Sequence, residues 1–186
     1  LALGRVRDAL AGAVDESVAG QERREAAVLV PLFEEDGETR VVLTRRASTL
    51  RSHRSEVAFP GGRAEPGEPL RAAALREAFE EVALEPGLVE IIASLGSLTT
   101  VSSGARVTPF VGVLSERPHL RASATEVERV FDISLAELLV YGVHRIEHWG
   151  VGPSAREIHF FDLPGDIVWG ATARILTELL TRIVGQ

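Results

Sequence analysis

Residues 62–84 run from a glycine turn into an acidic helix, and no other stretch restricts the fold as much. They read Gly-Arg-Ala-Glu-Pro-Gly-Glu-Pro-Leu-Arg-Ala-Ala-Ala-Leu-Arg-Glu-Ala-Phe-Glu-Glu-Val-Ala-Leu. Glu77, Glu80 and Glu81 stand at i, i+3 and i+4, so a helix here carries three carboxylates on one face beside a loop. Like charges packed this closely repel, and a helix with only a structural task gains little from them. A hard cation such as Mg²⁺ or Mn²⁺ removes the repulsion, because it takes carboxylate oxygens and keeps positions open for phosphate oxygens. The competing reading is a solvated acidic face.

Two absences eliminate whole mechanisms. The chain has no Cys, which rules out a thiol nucleophile, a disulfide and a zinc–thiolate site. It has no Lys either, since all 20 basic residues are Arg, which rules out a P-loop lysine, a Schiff base and a lysine general base. A net charge of −7 argues against a duplex nucleic-acid partner held by phosphate neutralisation. No apolar run approaches a membrane span, so no membrane partner is expected. Leu1 is the first residue and Met is absent, so a trimmed start or leader is expected and the N-terminus says little about location. The location expected is cytoplasmic.

Periodicity predicts an N-terminal helix over 3–19, with Val6, Leu10 and Val14 at spacing four. Strands are predicted at 26–33 and 39–44, joined by a turn at Glu34–Gly37 as a hairpin. A short strand at 57–59 is broken by Pro60-Gly61-Gly62. The acidic helix starts near Pro69, with Ala72, Leu75, Ala78, Phe79 and Val82 as its buried side. Later strands are predicted at 91–98, 106–114, 126–131, 143–149 and 156–162, a short helix at 134–140 after the N-cap Ser134, and a final helix over 169–184. Length and the interleaved order indicate one α/β domain over 1–186, with 1–22 as a helical extension.

The 62–84 run resembles the Nudix box, G-x5-E-x7-R-E-U-x-E-E-x-G-U with U aliphatic. Gly62, Glu68, Arg76, Glu77, Glu80, Glu81 and Leu84 fall on it, with Ala78 as a small U. Position 83 departs: the pattern has the Gly that closes the helix, and here it is Ala83. Either Ala83 takes the left-handed conformation at about 1 kcal/mol, or the helix runs on to Pro86-Gly87. The resemblance implies a Nudix-type α/β/α sandwich with a mixed β-sheet, and metal-dependent hydrolysis of a nucleoside diphosphate linked to another group. It implies Glu77 and Glu81 as principal metal ligands, Glu80 as a further ligand or a partner through metal-bound water, and the Gly62 carbonyl as a backbone ligand. Arg76 and Glu68 take structural parts. Glu77, Glu80 and Glu126 are the catalytic candidates, with Glu126 as the general base from outside the box; a solvated strand-edge carboxylate is the equal alternative for Glu126.

Upstream, residues 42–62 resemble the extra signature of the coenzyme A pyrophosphatase branch, L-x-T-x-R-[SA]-x3-R-x3-G-x3-F-P-G-G. Thr44, Arg46, Ala47, Arg51 and Phe59-Pro60-Gly61-Gly62 match, while Val42 replaces Leu and Ser55 replaces Gly. Residues 106–113 and 168–176 resemble that branch too. Arg45, Arg46, Arg51 and Phe59 are therefore the substrate-binding candidates, with solvated or acid-paired arginines as the alternative. Guanidinium forks bind phosphate bidentately and stay charged at any working pH. The implied partner is a CoA-like nucleotide, and a homodimer is allowed; ADP-ribose or NADH as substrate, or a non-catalytic nucleotide-sensing module, are the rival readings. His144 and His148 lie on a predicted strand, too far apart to chelate easily, and Trp149 and Trp169 read as core residues.

Overall fold

Continuous apolar runs, buried on both faces, build the centre of the molecule. The computed structural model describes residues 1–20, 24–49, 55–101, 103–152 and 155–185. Strands β1 (Glu25–Glu35) and β2 (Glu38–Arg46) form the predicted hairpin, turning at Asp36-Gly37, where both residues have positive φ. Strands β3 (Val57–Ala58), β4 (Gly61–Arg63), β5 (Glu90–Ser94), β6 (Leu98–Thr99), β7 (Arg106–Val113) and β8 (Val127–Ser134) complete an eight-stranded sheet among the described residues. Its main path runs β3-β2-β1-β7-β5, with β4 on β1, β6 on β7 and β8 on β2. The pairing of β1 with β7 is parallel and the others are antiparallel, so the sheet is mixed.

Period two divides β1 between two cores. Ala27, Leu29 and Phe33 face helix α2 (Leu70–Val82) through Ala73, Ala74, Ala78 and Val82. Val30 and Leu32 face α1 (Leu3–Leu10), α3 (Leu135–Leu138) and α4 (Gly170–Val184) through Val6, Leu10, Leu135, Leu176 and Leu179. Helices on both faces make an α/β/α sandwich. A second antiparallel sheet, β9 (His144–Trp149), β10 (Arg156–Leu163) and β11 (Asp166–Trp169), joins the α4 side; β11 had no sequence signal. Ser134 caps α3 by accepting from the Ala136 N–H, while Glu137 accepts from the Ser134 N–H, a reciprocal cap worth about 1 kcal/mol. No helix among the described residues is long and apolar enough to cross a membrane.

Several boundaries differ from the sequence reading for physical reasons. The first helix stops at Leu10, and residues 12–20 are extended because neighbouring chain satisfies their backbone groups: Gly12 N–H donates to Ile92, and Ser94 N–H donates to Ala13. Pro60-Gly61-Gly62 is a corner between two strands, with Leu29 N–H donating to the Pro60 carbonyl. The 91–98 strand divides at Leu95–Ser97, where Gly96 N–H donates to Glu178. On α2, Phe79 is 45% exposed, and Ala73 and Ala74 are buried instead; small residues bring the helix against β1 and rotate Phe79 outward.

Candidate active site

The glycine corner and α2 face each other at close range. Ala26, Ala27 and Val28 pair with Arg63, Gly62 and Gly61, which fixes the corner on the central strand. A side chain at Gly62 would overlap the Glu77 carboxylate, and one at Gly61, whose φ is 154°, would overlap the β1 backbone. The turn beyond is strapped by the N-terminal segment: Ala19 N–H donates to Glu68 O, Gly67 N–H to Ala19 O and Leu70 N–H to Ser17 O. At the far end Ala83 adopts φ 57°, ψ 31° and donates to Phe79 O, so α2 ends where the pattern's glycine would end it. The following Leu84 is buried in the α2 core.

Arg76 is the hub of the loop. Its guanidinium donates to both Glu68 oxygens at 2.8 and 2.9 Å, to Glu77 at 2.9 Å and to the Arg63 carbonyl at 3.1 Å. The paired guanidinium holds the Glu68 carboxyl below its usual range. Glu80 is half-exposed and lies 3.4 Å from the same arginine.

Glu81 is unlike its neighbours, because it is only 3% exposed. Its carboxylate accepts from Gly61 N–H at 3.1 Å and lies 3.7 Å from an Arg46 nitrogen. Burial pushes it up to about 7, against the pull of Gly61 and Arg46, and the charges of Glu77 and Glu126 add to the rise. Glu77 is likewise raised, first by burial and then by Glu80 and Glu126. Glu126 thus acts on both box carboxylates from a different element. It sits in the turn just before β8, tied by its carbonyl to Ala47 N–H, while Ser123 N–H in the same turn donates to Glu81 O.

The arginine segment is only partly described. Arg46 reaches Glu81, whereas Arg45 reaches Asp166 at 3.1 Å and Glu128 at 3.7 Å. The Nε atoms of both arginines are buried without a hydrogen-bond partner among the described residues, so the pair is short of acceptors. Arg51, His53 and Arg54 lie outside the described residues. Ser55 has φ 57°, the left-handed conformation suited to the glycine that the upstream signature carries there. Phe59 is a correction: it is 3% exposed and packed in the α4-side core, because strand alternation turns it inward with Val57. The Gly61 N–H, the Asp166 partner of Arg45 and the outward indoles of Trp149 and Trp169 were not found from sequence; backbone donors and cross-sheet partners leave no spacing signal.

Among the described residues no three carboxylate or imidazole groups form a ready metal cage. Arg76 draws Glu77 and Glu80 toward itself, and Arg46 draws Glu81. The donors nevertheless fit a hard dication. They are all oxygen, and Glu81 is a buried carboxylate whose ionised form is under-compensated, which a nearby dication would correct.

Comparison with known proteins agrees with this geometry. The NUDIX domain pattern matches residues 23–148. The Nudix hydrolase NudL of Citrobacter koseri is 41% identical over 168 residues, 87% of this chain and 83% of its own. NudL of Enterobacter sp. strain 638 is 42% identical over the same shares. Among solved structures, a MutT/nudix family protein from Enterococcus faecalis superposes with a TM-score of 0.63 at 20% identity, over 92% of this chain and 66% of that one. The NUDIX domain of Shewanella oneidensis NrtR, solved with ADP ribose, gives 0.52 at 20% identity, over 64% and 77%.

Proposed function

The chain belongs to the Nudix hydrolase family, and we propose that it hydrolyses the diphosphate bond of coenzyme A or a CoA derivative. The products are 3′,5′-ADP and 4′-phosphopantetheine or its acyl form. The observation that carries the hydrolytic part is the convergence of Glu77, Glu81 and Glu126, from two elements, on a glycine corner that leaves no room for side chains. The arginine hairpin and the left-handed Ser55 support the CoA assignment.

Glu77, Glu80 and Glu81, with the Gly62 carbonyl, would hold Mg²⁺ or Mn²⁺. The bound ion supplies positive charge to the phosphate oxygens, which suits a phosphate leaving group that needs little protonation. Gly61 N–H keeps the Glu81 carboxylate aimed at the corner. Arg46 and Arg51 orient the phosphates, and Glu126 takes the proton of the attacking water, a role worth on the order of 10²–10⁴ in rate. Arg76 holds Glu68 and Glu77 in place without touching the reacting atoms.

A turnover assay with Mg²⁺ and Mn²⁺ across CoA, dephospho-CoA, ADP-ribose and NADH tests this reading. CoA is expected to lead, and indifference to the 3′-phosphate would transfer the assignment to another nucleoside diphosphate, such as the ADP ribose bound by the NrtR domain. Glu81→Gln is expected to fold normally and to lose at least about a hundredfold in kcat. Full activity in that variant would remove Glu81 from the ligand set.

A further inference from the structure

Both tryptophans of the chain lie on one outer face of the three-stranded sheet. Trp169 stands opposite Phe160 across β11–β10, and their rings stack with centroids 6.4 Å apart and planes at 12°. Trp149 approaches Trp169 at 6.2 Å. Water-exposed indoles are unusual in a residue type that carries so much apolar surface, yet Trp149 is 49% exposed and Trp169 39%. They are not scattered singly. With Phe160 they form one wall of a cavity of about 460 Å³, whose other wall includes Arg45, Ser55 and Asp166.

The cavity adjoins the carboxylate site through a single pair of residues. Arg45 and Arg46 are consecutive on β2, at a register irregularity against β8. Arg46 reaches Glu81, and Arg45 reaches Asp166 in the cavity wall. Ser55 N–H donates to Arg46 O, and Arg46 N–H donates to Glu56 O, so the cavity rim and the phosphate-facing arginine belong to one hairpin at the sheet edge. Consecutive β2 side chains point to opposite faces, so a substrate held by its diphosphate at Glu81 on the α2 side would reach this cavity around that edge.

The lining selects the chemical class of the occupant. A flexible apolar chain would satisfy the indoles but offer no acceptor to the Arg45 Nε, which is buried without a hydrogen-bond partner among the described residues. A planar heteroaromatic base offers a π-face to the indoles and a polar edge to the charged wall. We infer that this cavity is the subsite for the base of the nucleotide substrate, with Trp149 and Trp169 as its stacking platform. The inference rests on the diphosphatase reading of the adjoining carboxylates.

Because Trp149 and Trp169 are the only tryptophans, selectively excited tryptophan fluorescence reports on this cavity alone. Titration of the wild-type protein with AMP and 3′,5′-ADP is expected to quench it saturably, whereas ribose 5-phosphate and 4′-phosphopantetheine leave it unchanged. Trp169→Ala is expected to raise KM about tenfold or more and to lower kcat less, with Trp169→Phe restoring most of the loss. Quenching by 4′-phosphopantetheine but not AMP would overturn the inference and assign the cavity to the other half of the substrate. Turnover of CoA without quenching by AMP, and with KM unmoved in Trp169→Ala, would overturn the subsite while leaving the diphosphatase reading intact. Saturable quenching by AMP in a protein that hydrolyses no diphosphate would uphold base binding and overturn that reading instead.

Discussion

The loop and helix at 61–84 and the three-stranded sheet at 144–169 both display polar chemistry, but they hold it by different means. In the first, the Arg76 hub is fixed by partners close in sequence, and only Glu81 is held from farther off, by Gly61 and Arg46. Arg76 serves Glu68, eight residues back, and Glu77 beside it, while glycines give the carboxylates room. In the second, side chains are fixed by partners on other strands. Arg145 lies 4.1 Å over the Phe160 ring and donates to Asp162 at 2.7 Å; His144 and His159, on adjacent strands, lie 3.0 Å apart between ring nitrogens. The Arg145–Asp162 ion pair is exposed and screened by solvent, so packing of rings carries this sheet. The contrast teaches that the acidic site is a local device mounted on a scaffold, whereas the aromatic face exists only once three strands have assembled.

The sharpest way to break the comparison is Gly62→Ala. The new side chain overlaps the Glu77 carboxylate and displaces it, and a displacement of this kind costs about 10²-fold in kcat. Steady-state kinetics beside a thermal melt check it: the melt should move far less than the rate. A smaller effect, of opposite sign, is expected from Ala83→Gly. Ala83 holds a left-handed conformation with φ 57°, and glycine should relieve it by about 0.5–1 kcal/mol. The melting temperature should rise by about 1–4 °C, with kcat unchanged.

The smallest effect belongs to the sheet. Burial, aided by the charge of His159, holds the His144 imidazole below its ordinary value of 6.5. The folded protein therefore binds fewer protons there than the unfolded chain. That contribution to stability is whole above about pH 6.5 and is lost as pH falls through the depressed value. Denaturation midpoints at pH 7.5 and 5.5 should accordingly differ less in His144→Phe, which keeps the stacking on Phe161, than in the wild type. An equal drop in both proteins would remove His144 from the acid response.

The legible parts of this protein share a short range. The β1–β2 hairpin was readable because its two apolar runs and the turn between them are neighbours in sequence, and α2 was readable because its acidic spacing repeats with the helical turn. The helical reading of 11–19 failed because an apolar spacing of four does not reveal that Ala19, Ser17 and Ala13 will spend their backbone groups on the box loop and on β5. Phe59 failed for a related reason. Its place in a signature says nothing about which way the chain turns it just after the two-residue strand β3, and the core took it.

Sequence by itself determined the chemistry on offer: an acidic helical face after a glycine turn, arginine as the only permanent cation, and no thiol or amine nucleophile. These follow from residue type and local geometry, which need no distant partner. Only the tertiary structure decided that Glu81, alone among the box carboxylates, is buried and raised to about 7, and that Glu126 acts on it from the turn before β8. It also decided that the two tryptophans face outward beside Arg45. Burial and electrostatic strength depend on what surrounds a group in space, and the chain brings those surroundings together from segments far apart along its length.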